Sequence, residues 1–272
     1  MSGHTPDHDR GLAFDLATLN RRRVLALFGG AGLATLVGCA APSTATSPSS
    51  ATSSSSASSA TAAAGAVAEI PDETAGPYPG DGSNGPNILT ESGIVRSDIR
   101  SSFGSSSGTA QGVPLTVTLS VQDGGKALAG AAVYLWHCDR EGRYSMYSSG
   151  AENENYLRGV QEADDDGVVE FTSIFPACYS GRWPHIHFEI YESLAAASDS
   201  QNQVKTSQLA LPEGTCDEVF ATSGYEASVT NFSRITLASD NVFSDGVTLQ
   251  LCSITGDIES GFVATLDVAI PI

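Results

Sequence analysis

Two histidines separated by one residue stand at the start of an apolar run, in the order His185-Ile186-His187. Side chains of a β-strand alternate between its two faces, so a strand here directs both imidazoles to the same side. Two imidazoles on one face are half of a metal site. The alternative is that both are polar groups satisfied at a strand end. The pair therefore needs further donors before it indicates a metal.

Two tyrosines stand in polar segments upstream of this pair. Tyr179 and Arg182 fall within residues 174–184, a turn that leads into the histidines, and Tyr144 follows the apolar run that ends at Trp136. A phenolate oxygen beside imidazole nitrogens suits a hard cation. Because the pKa of an ordinary tyrosine is about 10, only a strong local cation makes phenolate the resting form at neutral pH. A single tyrosine is more often a packing residue, so neither tyrosine indicates a metal by itself.

These segments, in this order, resemble the intradiol ring-cleavage dioxygenases, the non-haem iron(III) enzymes that use O2 to open catechols between their two hydroxyls. The resemblance covers roughly residues 73–211. It is carried by five segments: Thr74-Ala75-Gly76-Pro77-Tyr78, the loop from Trp136-His137 to Tyr144, the turn Pro176-Ala177-Cys178-Tyr179, the pair His185 and His187, and Thr206-Ser207-Gln208-Leu209.

The resemblance implies a role for each of several residues. The Fe(III) ligands would be Tyr144, Tyr179, His185 and His187. Tyr179 would be displaced by the catechol and accept one of its protons, Arg182 would stabilise charge that develops on the ring, and Gln208 would position the ring. The substrate-binding residues would be Thr74, Gly76, Pro77, Tyr78 and the wall residue Trp183. The product would be a cis,cis-muconate-type dicarboxylic acid.

The elements that must hold these side chains are short β-strands. Charged residues are only 16% of the chain, whereas glycine numbers 28 and proline 12, a balance typical of strands and turns. Seven β-type runs recur with turn signals between them: residues 114–122, 131–138, 167–175, 185–191, 204–211, 247–255 and 262–270. Residues 216–223 are compatible with a turn or two of helix. We therefore expect an all-β fold, a β-sandwich of about seven to eight strands with long loops.

The N-terminal region has the pattern of an export signal rather than of a core. Arg21, Arg22 and Arg23 precede an apolar Gly/Ala-rich run that ends in Leu-Val-Gly-Cys39, which resembles a twin-arginine signal with a lipobox. We expect residues 1–39 to be a lipoprotein signal peptide that ends at lipidated Cys39, with an uncleaved membrane anchor as the alternative. Residues 40–65, almost entirely Ala, Ser, Thr and Pro, predict a disordered linker. Residues 66–272 would then be an intradiol-dioxygenase-like domain on the outer face of the cytoplasmic membrane, touching it only through the lipid.

The charge balance limits the partners. Lys and Arg total 13 against 31 Asp and Glu, so the formal charge is −18. A nucleic-acid partner is therefore not expected. The same charge would mildly repel a carboxylated catechol, so the expected substrates are catechol, hydroxyquinol or related diols, together with O2.

Four cysteines remain once Cys39 is assigned to a lipid: Cys138, Cys178, Cys216 and Cys252. An even set in an oxidising compartment predicts two disulfides. Three pairings are possible, and we favour Cys138 with Cys178 and Cys216 with Cys252. A zinc site made of Cys138, Cys178 and the two histidines is the rival metal chemistry.

Other functions compete with a dioxygenase. A lipid-tethered β-sandwich can be a non-catalytic binding module that keeps these residues for structure. A hydrolase is disfavoured because Ser180 has no obvious triad partner. Residues 164–167, Asp-Asp-Asp-Gly, lack the rest of a calcium loop and predict a solvated turn.

Overall fold

Two β-sheets form the fold of residues 68–271, the part of the chain that the computed structural model describes. Within these residues the strands are β1 (Pro114–Asp123), β2 (Lys126–Ala127), β3 (Ala132–Trp136), β4 (Arg158–Glu162), β5 (Val168–Ile174), β6 (His185–Tyr191), β7 (Gln203–Ala210), β8 (Ser253–Asp257) and β9 (Gly261–Ala269). The first sheet has the order β2-β1-β9-β8, with β5 also paired to β1, and the second has the order β4-β3-β6-β7. The predicted all-β sandwich is confirmed.

The sheets differ in strand direction. Every pair in the second sheet is antiparallel. In the first sheet the late strand β9 runs parallel to β1, with Leu115 opposite Phe262. Parallel neighbours need a crossover connection, and here the whole second sheet lies within it. The chain therefore forms the second sheet, which contains β6, after β1 and before β9 in sequence.

The hydrophobic core lies between the sheets and follows the period of the strands. Leu115, Val117 and Leu119 of β1 are at most 1% exposed and share one cluster with Ile186 and Phe188 of β6. Burial of each such side chain contributes about 1.5–3 kcal/mol. Because neighbours on a strand point to opposite faces, β6 directs the side chains on either side of Ile186 away from this core.

The outer face of the second sheet is covered by two loops. Tyr134 and Trp136 of β3 pack there against Tyr78 from the N-terminal segment and Tyr144 from the loop after β3. All four are at most 5% exposed. A second buried cluster thus lies between a strand pair and two loops, on the face to which the histidines point.

The helices are short and follow the strands. Helix α1 (Glu213–Phe220) begins after Pro212, earlier than the predicted turn at residues 216–223, and α2 (Glu226–Phe232) follows it. Three single 3-10 turns cover Ala196–Ser198, Ser200–Asn202 and Phe243–Asp245. Strand β4 carries no predicted run, because its sequence RGVQE does not alternate and is ordered by pairing with β3.

One predicted strand is shorter than expected. Residues 247–250 form a turn in which the Gln250 N–H donates to the Val247 carbonyl at 2.9 Å. Only the later part of the predicted run becomes β8, which pairs with β9. Val247 instead packs against a cluster that contains Trp183 and Phe243.

The structure corrects the prediction of two disulfides. Cys138, Cys178, Cys216 and Cys252 are all free and buried. Each is packed as a small apolar side chain, and Cys178 Sγ donates to the Arg182 carbonyl at 3.4 Å. Burial raises the pKa of the Cys178 thiol to about 12, which keeps it in the unreactive protonated form. The even cysteine count is accounted for by core packing rather than by cross-links.

The predicted signal peptide (residues 1–39, with Cys39) and linker (residues 40–65) lie outside the described residues. Among residues 68–271, no helix has the length and apolar character that a membrane span requires.

Candidate metal centre

Strand β6 presents His185 and His187 on one face, and their Nε2 atoms lie 3.1 Å apart. Both residues are 2% exposed. Burial lowers the pKa of both well below the usual range, helped by the positive charge of Arg182 beside His185. Each imidazole is therefore neutral near pH 7, with one nitrogen lone pair to offer.

Two tyrosine hydroxyls meet the same nitrogen. The Tyr179 hydroxyl oxygen lies 3.2 Å from His185 Nε2, and the Tyr144 hydroxyl oxygen lies 3.4 Å from it. Neighbouring donors around one metal ion are about 3 Å apart when each bond is about 2 Å long. The four predicted ligands thus converge at metal-binding separations.

The loop that delivers Tyr144 is closed by its own side chains. Asp139 Oδ1 accepts from the backbone N–H groups of Glu141 and Arg143. Gly142 has φ +83°, and a Cβ there would lie 3.2 Å from the Cβ of Tyr179. Glycine at this position therefore lets the Tyr144 loop approach the turn that carries the second tyrosine.

The two imidazoles are oriented by different means. His185 Nδ1 lies 2.5 Å from the Trp183 carbonyl, so it carries the proton and leaves Nε2 as the acceptor. His187 stacks on Trp136, with ring centroids 4.9 Å apart. The Nε2 atoms of the two imidazoles and the two phenol oxygens form a donor set that fits Fe(III).

Arg182 and Gln208 adjoin this donor set and bind each other. Arg182 Nη2 donates to Gln208 Oε1 at 2.6 Å, and Arg182 Nη1 lies 3.5 Å from His185 Nε2. Gln208 is opposite His187 in the pairing of β6 with β7. Its Nε2 donates to the Thr74 carbonyl at 2.9 Å. Two of the three predicted catalytic residues, Arg182 and Gln208, thus form one hydrogen-bonded unit beside the predicted ligands.

The N-terminal segment covers the site. Gly76, at φ +71°, is close enough to His187 that a Cβ there would lie 3.4 Å from Cε1. The Tyr78 ring centroid is 4.9 Å from that of Tyr144. The Pro77 carbonyl accepts from Asn84 Nδ2, and Thr74 Oγ1 accepts from the Gly76 N–H. The structure therefore places the four predicted N-terminal substrate residues next to the predicted metal ligands.

Trp183 is placed differently from these four. Its indole packs against Phe232 of α2 and its Nε1 donates to the Leu211 carbonyl at 2.8 Å. It shares a buried cluster with Val242 and Phe243. The ring therefore supports the C-terminal side of the site, and the backbone carbonyl of Trp183 orients His185. Its role in substrate binding stays a prediction.

A family model described as Dioxygenase matches residues 85–209. The chain is 38% identical over 63 residues to the chlorocatechol 1,2-dioxygenase of Rhodococcus opacus, which is 23% of this chain and 24% of that protein. It is 39% identical over 56 residues to catechol 1,2-dioxygenase 1 of Acinetobacter lwoffii, or 20% of this chain and 18% of that protein. A solved intradiol ring-cleavage dioxygenase from Tetranychus urticae matches with a TM-score of 0.59 and 25% identity, over 75% of this chain and 95% of that one.

The relatives of this chain are intradiol ring-cleavage dioxygenases. The resemblance that the sequence motifs predict is confirmed. The alignments to the two curated intradiol enzymes span about a quarter or less of their lengths, whereas the Tetranychus urticae structure is covered almost completely.

Two buried polar residues and one partly buried one, none of them indicated by the motifs, support the candidate site. Asp240, 0% exposed, accepts from Arg182 Nε at 3.0 Å. Arg158, 1% exposed, donates to the Tyr78 and Pro79 carbonyls. Glu73 accepts from Gln250 Nε2 at 3.3 Å. Of these three residues, only Arg158 stands out in the sequence, as a charged residue between Leu157 and Gly159-Val160.

The alternative zinc and calcium sites find no support in the described part of the chain. Among residues 68–271, no group of three or more His, Cys, Asp or Glu side chains is arranged to hold a metal ion, so the zinc site of Cys138, Cys178 and the histidine pair is not formed. At residues 164–167, Asp164 Oδ1 instead accepts from the backbone N–H groups of Asp166 and Val168. This is the predicted turn, here between β4 and β5.

Proposed function

We propose that this protein is an Fe(III)-dependent intradiol dioxygenase that cleaves catechol-type diols with O2 to cis,cis-muconate-type products. The observation that carries the proposal is the convergence of Tyr144, Tyr179 and His187 on the Nε2 atom of His185, within 3.1–3.4 Å. The same four positions lie in the segments by which the sequence resembles the intradiol dioxygenases. Bound Fe(III) would supply a Lewis acid that holds the diol oxygens and withdraws electron density from them.

Tyr179 is the residue proposed to accept a proton. Its hydroxyl lies 3.2 Å from His185 Nε2, and the residue is 9% exposed, the most of the four proposed ligands. A tyrosinate released on substrate binding is a strong base, because the pKa of an ordinary tyrosine is about 10. It would take a diol proton at its hydroxyl oxygen.

Arg182 and Gln208 would act on the ring rather than on the diol. Arg182 Nη2 and Gln208 Oε1 hold each other at 2.6 Å, so both side chains are fixed before substrate arrives. Both are at most 2% exposed, where a fixed positive charge acts through a weakly screening medium. Arg182 would stabilise negative charge on the ring, and Gln208 would set the angle of the ring.

The proposed substrates are uncharged catechols such as catechol or hydroxyquinol. The Arg182 charge is balanced by Asp240 at 3.0 Å, so it does not select for a substrate carboxylate. The carboxyl group of Glu73 interacts electrostatically with Arg182, and the chain carries a formal charge of −18. A carboxylated catechol would meet net repulsion.

An absorption spectrum of the purified full chain tests the metal and its ligands. We expect a visible tyrosinate-to-iron band that shifts when catechol is added without O2, and ring cleavage when O2 is admitted. Tyr144→Phe should weaken or move the band. The matched control is Tyr225→Phe, since Tyr225 is equally buried but its hydroxyl donates to the Phe175 carbonyl outside the site.

A protein that stays colourless and iron-free after reconstitution would overturn the dioxygenase proposal. The remaining function would then be the non-catalytic binding module. A protein that binds iron but shows an identical spectrum in wild type and Tyr144→Phe would overturn the ligand assignment alone.

We also propose that the protein acts outside the cytoplasm as a lipoprotein. The support is the sequence pattern alone, three arginines from Arg21 to Arg23 before an apolar run that ends at Cys39. Labelled fatty acid should be incorporated into the wild type and not into Cys39→Ser. Equal labelling of the two chains, or none in the wild type, would overturn lipidation at Cys39.

A further inference from the structure

We infer that Asp240 is a positioning residue that fixes the Arg182 guanidinium over the proposed metal ligands. This inference rests on the proposed dioxygenase function. Asp240 lies in the segment between α2 and the turn Phe243–Asp245, far in sequence from every motif. It is 0% exposed, and a fully buried carboxylate is retained only where it is paired.

The two carboxylate oxygens of Asp240 have separate tasks. Oδ2 accepts from Arg182 Nε at 3.0 Å and from the Trp183 N–H at 2.7 Å. Oδ1 accepts from the N–H groups of Val242 and Phe243 at 2.8 and 3.1 Å. One oxygen thus anchors the Asp240 side chain to its own turn, and the other holds the segment that leads into His185.

These contacts set the rotation of the guanidinium. A guanidinium is planar, so fixing two of its nitrogens fixes the third. Asp240 takes Nε and Gln208 takes Nη2 at 2.6 Å, which directs Nη1 to within 3.5 Å of His185 Nε2. Without Asp240, the guanidinium would lose its hydrogen bond at Nε and could turn about the bond from Nη2 to Gln208.

Asp240 also balances charge beside the ligand set. Arg182 is 2% exposed and close to a site that is proposed to hold a trivalent cation. An unpaired cation there would be repelled by the metal and would leave that position at little cost. The paired guanidinium still acts electrostatically on the nearby substrate ring, although the Arg182–Asp240 pair has no net charge.

The test compares Asp240→Asn in two backgrounds. Asparagine keeps one carbonyl oxygen for the Val242 and Phe243 N–H groups, but its amide NH2 can accept neither from Arg182 nor from the Trp183 N–H. We expect kcat per bound iron with catechol to fall about 10- to 100-fold. In the Arg182→Gln background the same change should lower kcat less than about threefold, because no guanidinium remains to be positioned. Asp245→Asn, an exposed carboxylate in the same segment, is the matched control and should keep wild-type kcat.

A second readout separates positioning from metal loading. Asp240 contacts none of the four proposed ligands through its side chain, so Asp240→Asn should bind iron and keep the wild-type visible band. Equal factors of loss in both backgrounds, an unchanged kcat in Asp240→Asn, or loss of the band would each overturn the positioning role. An inactive wild type would overturn the proposed function instead, so the two failures are distinct.

Discussion

Trp136 lies flat against His187, with ring centroids 4.9 Å apart and planes 6° from parallel. The two residues are direct partners in the pairing of β3 with β6. His187 Nδ1 is buried and has no hydrogen-bond partner among residues 68–271, whereas His185 Nδ1 contacts the Trp183 carbonyl. Packing therefore orients one imidazole and a hydrogen bond orients the other.

Replacement of Trp136 should loosen the metal site. Trp136→Leu removes the flat surface that holds His187, so we expect iron affinity, measured by chelator competition, to fall at least about 10-fold. Trp136→Phe should retain most of the affinity. Phe171→Leu, in the core between the sheets, should lower stability and leave affinity unchanged. A comparable affinity loss in Phe171→Leu would argue against the orienting role of the indole.

Two glycine substitutions separate backbone strain from contact with a ligand. Gly76 and Gly104 have φ values of +71° and +68°, so alanine at either should cost about 1–2 kcal/mol of unfolding free energy. A Cβ at Gly76 would fill the space beside His187, in van der Waals contact at 3.4 Å from its Cε1, whereas one at Gly104 would meet nothing within 4 Å. We therefore expect Gly76→Ala alone to lower iron affinity, as measured by chelator competition. Equal affinities for the two variants would show that the Gly76 contact is unimportant.

Glu73 should make stability fall as pH rises. Burial, followed by repulsion from Asp245, raises the pKa of Glu73 from 4.5 to about 7. The proton is bound in both states below pH 4.5, and above pH 7 the folded state bears the cost of an ionised carboxylate. Glu73→Gln should thus gain stability over wild type at pH 8 but not at pH 4, by about 1 kcal/mol after solvent screening.

Urea unfolding at the two pH values measures this difference, and Glu170→Gln is the matched control. Glu170 is exposed on β5 and should show the same difference from wild type at both pH values. A Glu73→Gln curve that stays parallel to wild type from pH 4 to 8 would contradict the assignment.

Arg158 should be worth more to stability than its single charge suggests. Its guanidinium donates to the carbonyls of Tyr78, Pro79 and Ser145, and it also contacts Tyr134 and the Ser145 hydroxyl. Arg158→Met would leave these buried acceptors unsatisfied, so thermal or urea unfolding should show a loss of about 3–5 kcal/mol.

The control for Arg158 is Arg140→Met, which breaks a surface pair with Glu141. We expect that change to cost less than about 1 kcal/mol. Similar losses for the two variants would indicate that Arg158 does not tie the N-terminal segment to the Tyr144 loop.

The placement of the histidine pair was predictable because it depends on a local rule. Period two places His185 and His187 on one face whatever the tertiary structure, and the predicted strand at residues 185–191 is the observed β6. Asp240 was not predictable, because a carboxylate 58 residues from Arg182 carries no local sign of its partner. The disulfide prediction was wrong for a related reason. The number of cysteines shows whether all of them could pair but not whether they are buried, and all four thiols pack in the core.

The parallel pairing of β1 with β9 sets an order on folding. Every proposed ligand, on residues 144–187, is synthesised before the strand that completes the first sheet. Such a long-range pairing is slow to form, since the chain must lose the entropy of closing a large loop before the stabilising contacts are made. The core face of β6 therefore stays incompletely covered until β9 has paired with β1. A chain that ends before Gly261 should leave the β9-facing edge of β1 unpaired and prone to aggregation.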